Sequence, residues 1–225
     1  MIPWKLLGKA RTPGEGVELC LYQRDDEFSI KVDNDEVMNS RAYGSEEALA
    51  WHACQKIASR PRASVLIGGL GMGFTLRAAL NELSGDAQVA VAELIPDVVR
   101  WNRDYLGHLA GSPLDDHRVT IHESDCTQII RSAKGSYDAI MLDVDNGPKA
   151  LMLKSNGRLY SPCGLASAFA ALRPKGVLTI WSSGPDGAFL RRLRQAGFDA
   201  SEVRERGRGK IKKGAHHFIW VATRP

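Results

Sequence analysis

Long hydrophobic runs are missing from this 225-residue sequence, although 44% of its residues are hydrophobic. No stretch approaches the roughly 18 consecutive apolar residues that a membrane-spanning helix needs. The first residues, MIPWKLLGKA, also lack the apolar segment of a secretory signal peptide. We therefore expect a globular protein that stays in the cytoplasm and has no membrane partner.

The cysteine and histidine patterns that are typical of metal sites are missing as well. The chain has four cysteines and six histidines, but they form no C-x-x-C, H-E-x-x-H or H-x-x-E-H spacing. We expect no bound metal, and we interpret the cysteines as buried free thiols. They are Cys20, Cys54, Cys126 and Cys163.

Excess charge of one sign is scarce, since the net charge is only +4 and much of it comes from one late segment. The six basic residues of this segment are Arg204, Arg206, Arg208, Lys210, Lys212 and Lys213. Such a segment can bind phosphate groups, which makes nucleic acid one alternative partner. No aromatic side chain interleaves the segment for base stacking, so we favour a solvated hairpin at a sheet edge.

What the sequence does contain, from residue 63 onward, is an alternation of apolar strand-like runs with amphipathic helix-like runs. The runs VLI, VAVA and AIML are apolar without polar alternation, which is typical of parallel strands covered on both faces. We predict an α/β fold with a doubly wound, Rossmann-like sheet. Its helices are expected at about residues 73–83, 96–109, 126–133, 162–172 and 187–196.

Both ends of the chain depart from this alternation. FDASEVRER and HHFIWVATR are two strand-like runs without a helix between them, which predicts a C-terminal antiparallel hairpin. Residues 1–44 alternate like short strands and predict a small N-terminal β region before the main domain at 45–225. We expect Ser45 to cap the connecting helix, with Glu46 and Glu47 in its first turn.

The stretch VLIGGLGMGF places four glycines directly behind the first strand-like run of the main domain. In doubly wound sheets this turn approaches the ligand, and glycine lets the backbone come close. About twenty residues later Glu93, followed by Leu94, ends the second run, where a carboxylate can bind a ribose diol. An adenosine-type ligand is the prediction. The dinucleotide-binding motif G-x-G-x-x-G would have its third glycine, or an alanine, at the position of Phe74. The spacing that is present, Gly69-x-Gly71-x-Gly73 preceded by Gly68, is associated with S-adenosylmethionine folds.

Acidic residues follow two further strand-like runs at the same predicted sheet edge. Asp125, before Cys126, could accept the adenine amino group, cap the next helix, or do both. Asp143 and Asp145 follow YDAIML and are our candidates for the reaction centre. Alternating residues face the same way in a strand, so both carboxylates could border the ligand. The alternative is a solvated acidic turn.

Together these segments resemble the spermidine synthase family of polyamine aminopropyltransferases, within the S-adenosylmethionine-dependent methyltransferase superfamily. The resemblance covers about residues 38 to 181, and its carriers are the helix around SEE, VLIGGLGMGFTLRAAL, VAVAELIPDVVRWN, SDCTQII, YDAIMLDVDNGP and LYSPCGLASAFAALRPKGVL. By position, it implies that Gly69, Gly71 and Gly73 line a sulfonium nucleoside, Glu93 holds the ribose, Asp125 and Cys126 border the adenine, and Asp143 is the catalytic aspartate.

The sequence also departs from the family pattern. Gly71 replaces an aspartate that would attract the ammonium end of decarboxylated S-adenosylmethionine, and Asn146 replaces the second aspartate of the pocket. We expect a transferase that uses S-adenosylmethionine or its decarboxylated form as donor substrate and moves an aminopropyl group to a polyamine. The alternatives are a methyltransferase of a small molecule or RNA and a non-catalytic nucleoside-binding protein. A homodimer is one further option.

Overall fold

The computed structural model describes residues 2–33, 35–144, 154–206 and 216–225, which form two β-sheets and six α-helices. The first four strands make an antiparallel sheet in the order β1-β2-β3-β4, and the other seven make a second sheet. The strands of the small sheet are β1 Lys5–Arg11, β2 Glu18–Arg24, β3 Glu27–Val32 and β4 Asp35–Asn39. Those of the large sheet are β5 Ser64–Gly68, β6 Gln88–Glu93, β7 Val119–Glu123, β8 Tyr137–Leu142, β9 Leu172–Ser182, β10 Asp199–Arg206 and β11 His216–Thr223.

The large sheet has the strand order β10-β11-β9-β8-β5-β6-β7. Its five strands from β9 to β7 are parallel, and β10 and β11 pair antiparallel at one edge. This confirms the doubly wound α/β prediction and the C-terminal hairpin. Arg204 and Arg206 lie on the edge strand β10, whereas the other four residues of the basic segment lie outside the described residues.

Helices cover both faces of the large sheet, and each face has its own apolar core. Val65 and Ile67 of β5 belong to one core, while Leu66, between them, belongs to the other. The first core includes residues of α1 to α3 and the second includes residues of α4 to α6. The helices are α1 Gly44–Ile57, α2 Phe74–Glu82, α3 Pro96–Trp101, α4 Cys126–Ser132, α5 Pro162–Ala171 and α6 Gly187–Gln195.

The chain reverses its direction of progress across the sheet between β5 and β8, and the strand ends are tied together there. The amide of Gly69 donates to the carbonyl of Ala92 at 2.9 Å, and the amide of Asp143 donates to the carbonyl of Gly68 at 2.9 Å. In open α/β sheets this switch point is where ligands bind. The fold therefore brings the ends of β5, β6 and β8 to one edge.

The prediction of one α-helix to about residue 109 was wrong in its second half. The α-helix ends at Trp101 and continues as a π-turn, Asn102–Leu106, and then a 3₁₀ turn. The Asn102 amide group donates both to the Gly71 carbonyl at 2.8 Å and to the Val98 carbonyl at 2.9 Å. One side chain thus ties the irregular turn to the glycine-rich loop.

The predicted helix cap at Ser45 was also wrong. Tyr43 occupies the N-cap position of α1 and makes no side-chain capping bond. Ser45 lies inside the helix, is fully buried, and donates its hydroxyl to Glu46 Oε2 at 2.7 Å. Its polar side chain is therefore used in a buried contact.

The cysteine prediction was wrong at one position of four. Cys20, Cys54 and Cys126 are buried, whereas Cys163 is exposed on the first turn of α5. All four are free thiols. None of the helices in the described ranges combines the length and the apolar character that a membrane crossing requires.

Candidate active site

A pocket with about 1020 Å³ of empty space, its open mouth included, lies at the carboxyl ends of the parallel strands. The N-terminal sheet forms its apolar wall with Leu19, Ile30, Val37 and Met38. The structure brings seven of the predicted site residues to this pocket. They are Gly69, Gly71, Glu93, Leu94, Asp125, Cys126 and Asp143.

Three other predicted residues are not among those that line it. Gly68 ends β5, and Gly73 sits at the N-cap of α2, where a side chain would meet Pro113. Asp145 lies outside the described residues.

The two loop glycines that line the pocket have left-handed backbone angles and close neighbours. Gly69 has φ +86°, and any side chain there would collide with the backbone carbonyl of Asp143. Gly71 has φ +53°, and a Cβ built on it would lie 2.6 Å from Cε of Met38. In the family that the sequence resembles, an aspartate stands at the position of Gly71. Here the apolar side chain of Met38, from β4, covers that position.

The Glu93 carboxylate is buried, with 7% of the residue exposed, and holds the loop in place. Its two oxygens accept hydrogen bonds from the backbone amides of Leu70 and Ile95, each at 2.9 Å. Burial raises the pKa of Glu93, and these amide bonds oppose the shift. Each carboxylate oxygen can accept more than one bond, so capacity for a ribose diol is left.

Asp125 is the N-cap residue of α4, and its side chain accepts a hydrogen bond from the Thr127 amide at 2.8 Å. Asp125 therefore caps α4, as one of the two interpretations predicted, and it also lines the pocket. Cys126, the first residue of the helix, is buried beside it. Their contact with an adenine ring stays a prediction.

Asp143 follows β8 and lies against the start of α2. The hydroxyl of Thr75 donates to Asp143 Oδ2 at 2.8 Å. Burial raises the pKa of Asp143 to about 6, and the Thr75 hydrogen bond opposes that shift. A carboxyl group with such a pKa is largely ionised at neutral pH and can still accept a proton.

Glu46 is a pocket residue that the sequence reasoning missed. It was read as an ordinary acid of a first helical turn, but only 8% of it is exposed, and it lines the pocket. Burial and the nearby charge of Asp143 raise the pKa of Glu46 to about 8, while the Ser45 hydroxyl opposes the shift. Ser45 Oγ also lies 2.8 Å from Nδ1 of His217.

Trp181 is a second missed residue, and here the sequence held a signal. It stands near the end of β9, so the rule that found Asp143 at the end of β8 would also have placed it at the pocket edge. Its ring lies 4.8 Å from the ring of His217. An aromatic wall is a suitable neighbour for a cation.

The ionisable side chains that line the pocket are acidic, apart from the thiol of Cys126. Four carboxylates line it, and none of the described lining residues is a lysine, arginine or histidine. Within the described ranges, no group of three or more metal-ligating side chains comes together. The pocket therefore favours cationic ligands and disfavours anionic ones. The four carboxylates belong to Glu46, Glu93, Asp125 and Asp143.

Comparison with known proteins gives a family match to the spermine/spermidine synthase domain over residues 45–194. A polyamine aminopropyltransferase of Mycobacterium tuberculosis is 28% identical over 172 residues, which are 75% of this chain and 31% of that protein. Polyamine aminopropyltransferase 1 of Streptomyces coelicolor is 32% identical over 129 residues, 56% of this chain and 23% of that protein. The matched region thus spans less than a third of either relative.

Solved structures agree on the fold. A spermidine synthase from Thermotoga maritima superposes with a TM-score of 0.77 at 17% identity, covering 98% of this chain and 73% of that one. A spermidine synthase in complex with the transition state analogue AdoDATO has a TM-score of 0.76, with the same identity and coverage. At this identity the likeness establishes the architecture alone.

Proposed function

Because this chain belongs to the spermine/spermidine synthase family, we propose that it transfers an aminopropyl group from decarboxylated S-adenosylmethionine to an amine. The nitrogen of the amine attacks the propyl carbon next to the sulfonium, and the carbon–sulfur bond breaks. The electron pair goes to sulfur, methylthioadenosine leaves, and the amine gives up one proton.

The choice of the decarboxylated donor rests on the acidic character of the pocket. Its acidic side chains attract both the sulfonium and the ammonium end of the decarboxylated donor. Intact S-adenosylmethionine would bring an additional carboxylate, for which no basic side chain is available among the described residues of the wall. The same charges favour a cationic amine as acceptor.

Asp143 is the proposed base. The attacking amine enters as an ammonium ion and must lose a proton before its lone pair can react. With its pKa raised to about 6, Asp143 is still mostly ionised at neutral pH. Its pKa is also closer to the operating pH than that of an ordinary aspartate, which favours proton transfer. The Thr75 hydroxyl fixes one carboxylate oxygen, which leaves the other free for the amine.

The nucleoside half of the donor is assigned to the strand ends. Gly69 and Gly71 let the backbone approach the sulfonium nucleoside, and Glu93 accepts hydrogen bonds from the ribose diol. Leu94 contacts the sugar from the same strand end. Asp125 and Cys126 border the adenine. These roles combine the implied family positions with the fact that all six residues line one pocket.

The experiment is a product analysis with two donors and several amines. The protein is incubated with decarboxylated or intact S-adenosylmethionine together with putrescine or spermidine, and the amines and nucleosides are identified by mass spectrometry. We expect an aminopropylated amine and methylthioadenosine from the decarboxylated donor only. A methylated product from the intact donor would contradict the proposal in favour of a methyltransferase. Nucleoside binding without product would favour a binding protein.

A further inference from the structure

Two carboxyl groups from distant parts of the chain face the same pocket. Glu46 comes from the first turn of α1, and Asp143 follows β8. Neither forms an ion pair with a lysine or arginine in the described part of the chain. Burial favours the neutral form of both carboxyls, and the charge of Asp143 adds to this effect at Glu46, so that one of the two retains a proton.

Charged groups on the elements packed against α1 are engaged elsewhere. On α1 itself, Glu47 pairs with Arg77 of α2 at 2.7 Å, and His52 faces Glu205 of β10 at 2.9 Å. Asp138 of β8 pairs with Arg60 at 2.6 Å and with Arg173 of β9 at 2.7 Å.

His217 of β11 supplies no positive charge at neutral pH. Burial and its neighbour His216 lower the pKa of His217. None of these groups therefore neutralises Glu46 and Asp143, which agrees with the raised pKa of both carboxyls.

A hydrogen-bonded chain accommodates either protonation state of Glu46. Ser45 Oγ lies 2.7 Å from Glu46 Oε2 and 2.8 Å from Nδ1 of His217. When Glu46 is ionised, Ser45 donates to it and accepts from the imidazole. When Glu46 is protonated, it can donate to Ser45, which then donates to the imidazole, because a hydroxyl both donates and accepts. The heavy atoms need not move when the proton leaves.

We propose that Glu46 and Asp143 form a two-carboxylate site for one ammonium group, and that binding of the ammonium group expels the proton that the two carboxyls share. The identity of that group as the attacking amine of the acceptor rests on the proposed function. The expelled proton goes to solvent, and both carboxylates are then ionised beside the cation. One of them can take the proton that the amine loses when it reacts.

The test is calorimetry of the full chain, saturated with methylthioadenosine and titrated with putrescine at pH 7 in buffers of different ionisation enthalpy. The dependence of the heat on the buffer gives the number of protons released. We expect about one proton per putrescine bound, because one of two such coupled carboxyls is protonated at this pH. Methylthioadenosine itself has no ammonium group, so its own binding should release none.

Matched variants identify the source of the proton. Glu46→Gln should abolish the release, and Asp143→Asn should reduce it, because burial alone still raises the pKa of Glu46. Glu47→Gln, one residue away and facing Arg77, should retain the release. Methylthioadenosine affinity and thermal unfolding show whether each variant is folded, and two independent variants keep the test valid if one is not. Putrescine binding without proton release in the wild type, or release that persists in Glu46→Gln, would overturn the proposal.

These results separate the proposal from the proposed function. A wild-type protein that transfers aminopropyl groups but releases no proton on amine binding would overturn the two-carboxylate site alone. Release that depends on Glu46, in a protein that transfers nothing from any donor, would support the site and remove the proposed function.

Discussion

Thr75→Val should move the acidic limb of the pH–rate profile upward. The buried Thr75 donates its hydroxyl to Asp143 Oδ2 at 2.8 Å, and this bond favours the ionised carboxylate. Valine has nearly the same shape but no donor. A hydrogen bond to a charged group is worth about 1.5–3 kcal/mol, and each pKa unit corresponds to about 1.4 kcal/mol, so the pKa should rise by roughly one to two units.

The expected loss of rate follows from the ionised fraction. With a pKa of about 6, close to nine-tenths of Asp143 is ionised at pH 7. A rise of one to two units leaves between about half and a tenth ionised, so kcat/KM at pH 7 should fall roughly twofold to tenfold. Activity should recover at higher pH.

The assay is kcat/KM for the amine between pH 5 and 9 with a saturating concentration of decarboxylated S-adenosylmethionine. Thr75→Ser retains the hydroxyl and should keep the wild-type limb, which makes it the control. The apparent midpoint belongs to Asp143 and Glu46 together, so the direction and size of its displacement are what is compared. If the acidic limb of the Thr75→Val profile has the same midpoint as that of the wild type, the assignment of Asp143 as the base that Thr75 supports is refuted.

Three further predictions concern the pocket walls. Glu93→Gln should weaken methylthioadenosine binding by about 1–3 kcal/mol in calorimetry, because charge-assisted bonds to the diol are lost; unchanged affinity in a folded variant would remove the ribose assignment. Gly71→Asp alone should impair binding of both donors, because its side chain would collide with Met38. The double variant Gly71→Asp with Met38→Ala should bind the decarboxylated donor more tightly than the intact one. Equal affinities for the two donors in the double variant would refute the electrostatic reasoning. The ligand-free protein should lose stability as the pH rises from about 5 to 9, because Glu46 and Asp143 keep protons in the folded state that the unfolded chain releases near pH 4. Urea unfolding should show a smaller loss for Glu46→Gln. Equal losses would contradict the assignment to Glu46, and stability that rises with pH in the wild type would contradict the sign.

The strand-end residues of the site could be predicted from sequence because parallel strands end at a common edge. Glu93, Asp125 and Asp143 each follow a local apolar pattern, and the topology then gathers them without further information. Gly69 and Gly71 were found for the same reason, since a strand followed by glycines is a local feature.

The residues that the sequence reasoning missed depend on packing between elements that are distant in the chain. Nothing near Met38 indicates that β4 lies over the glycine loop. Glu46 looks like a solvated helix-start acid until α1 is placed against β8 and β11. Ser45 is a residue type that often caps helices, but its side chain is instead buried in contact with Glu46 and with His217 of β11.

The central claim, that a pocket lined by carboxylates selects a cationic sulfonium donor, is tested most directly by calorimetric affinities for three ligands. These are decarboxylated S-adenosylmethionine, S-adenosylmethionine and methylthioadenosine, measured with the wild-type protein under one condition. A unit charge about 8 Å from a pocket carboxylate contributes about 2 kcal/mol at an effective dielectric constant of about 20, or roughly thirtyfold in affinity. The decarboxylated donor should therefore bind about tenfold or more tightly than the intact one. Equal binding, or tighter binding of intact S-adenosylmethionine, would contradict the account.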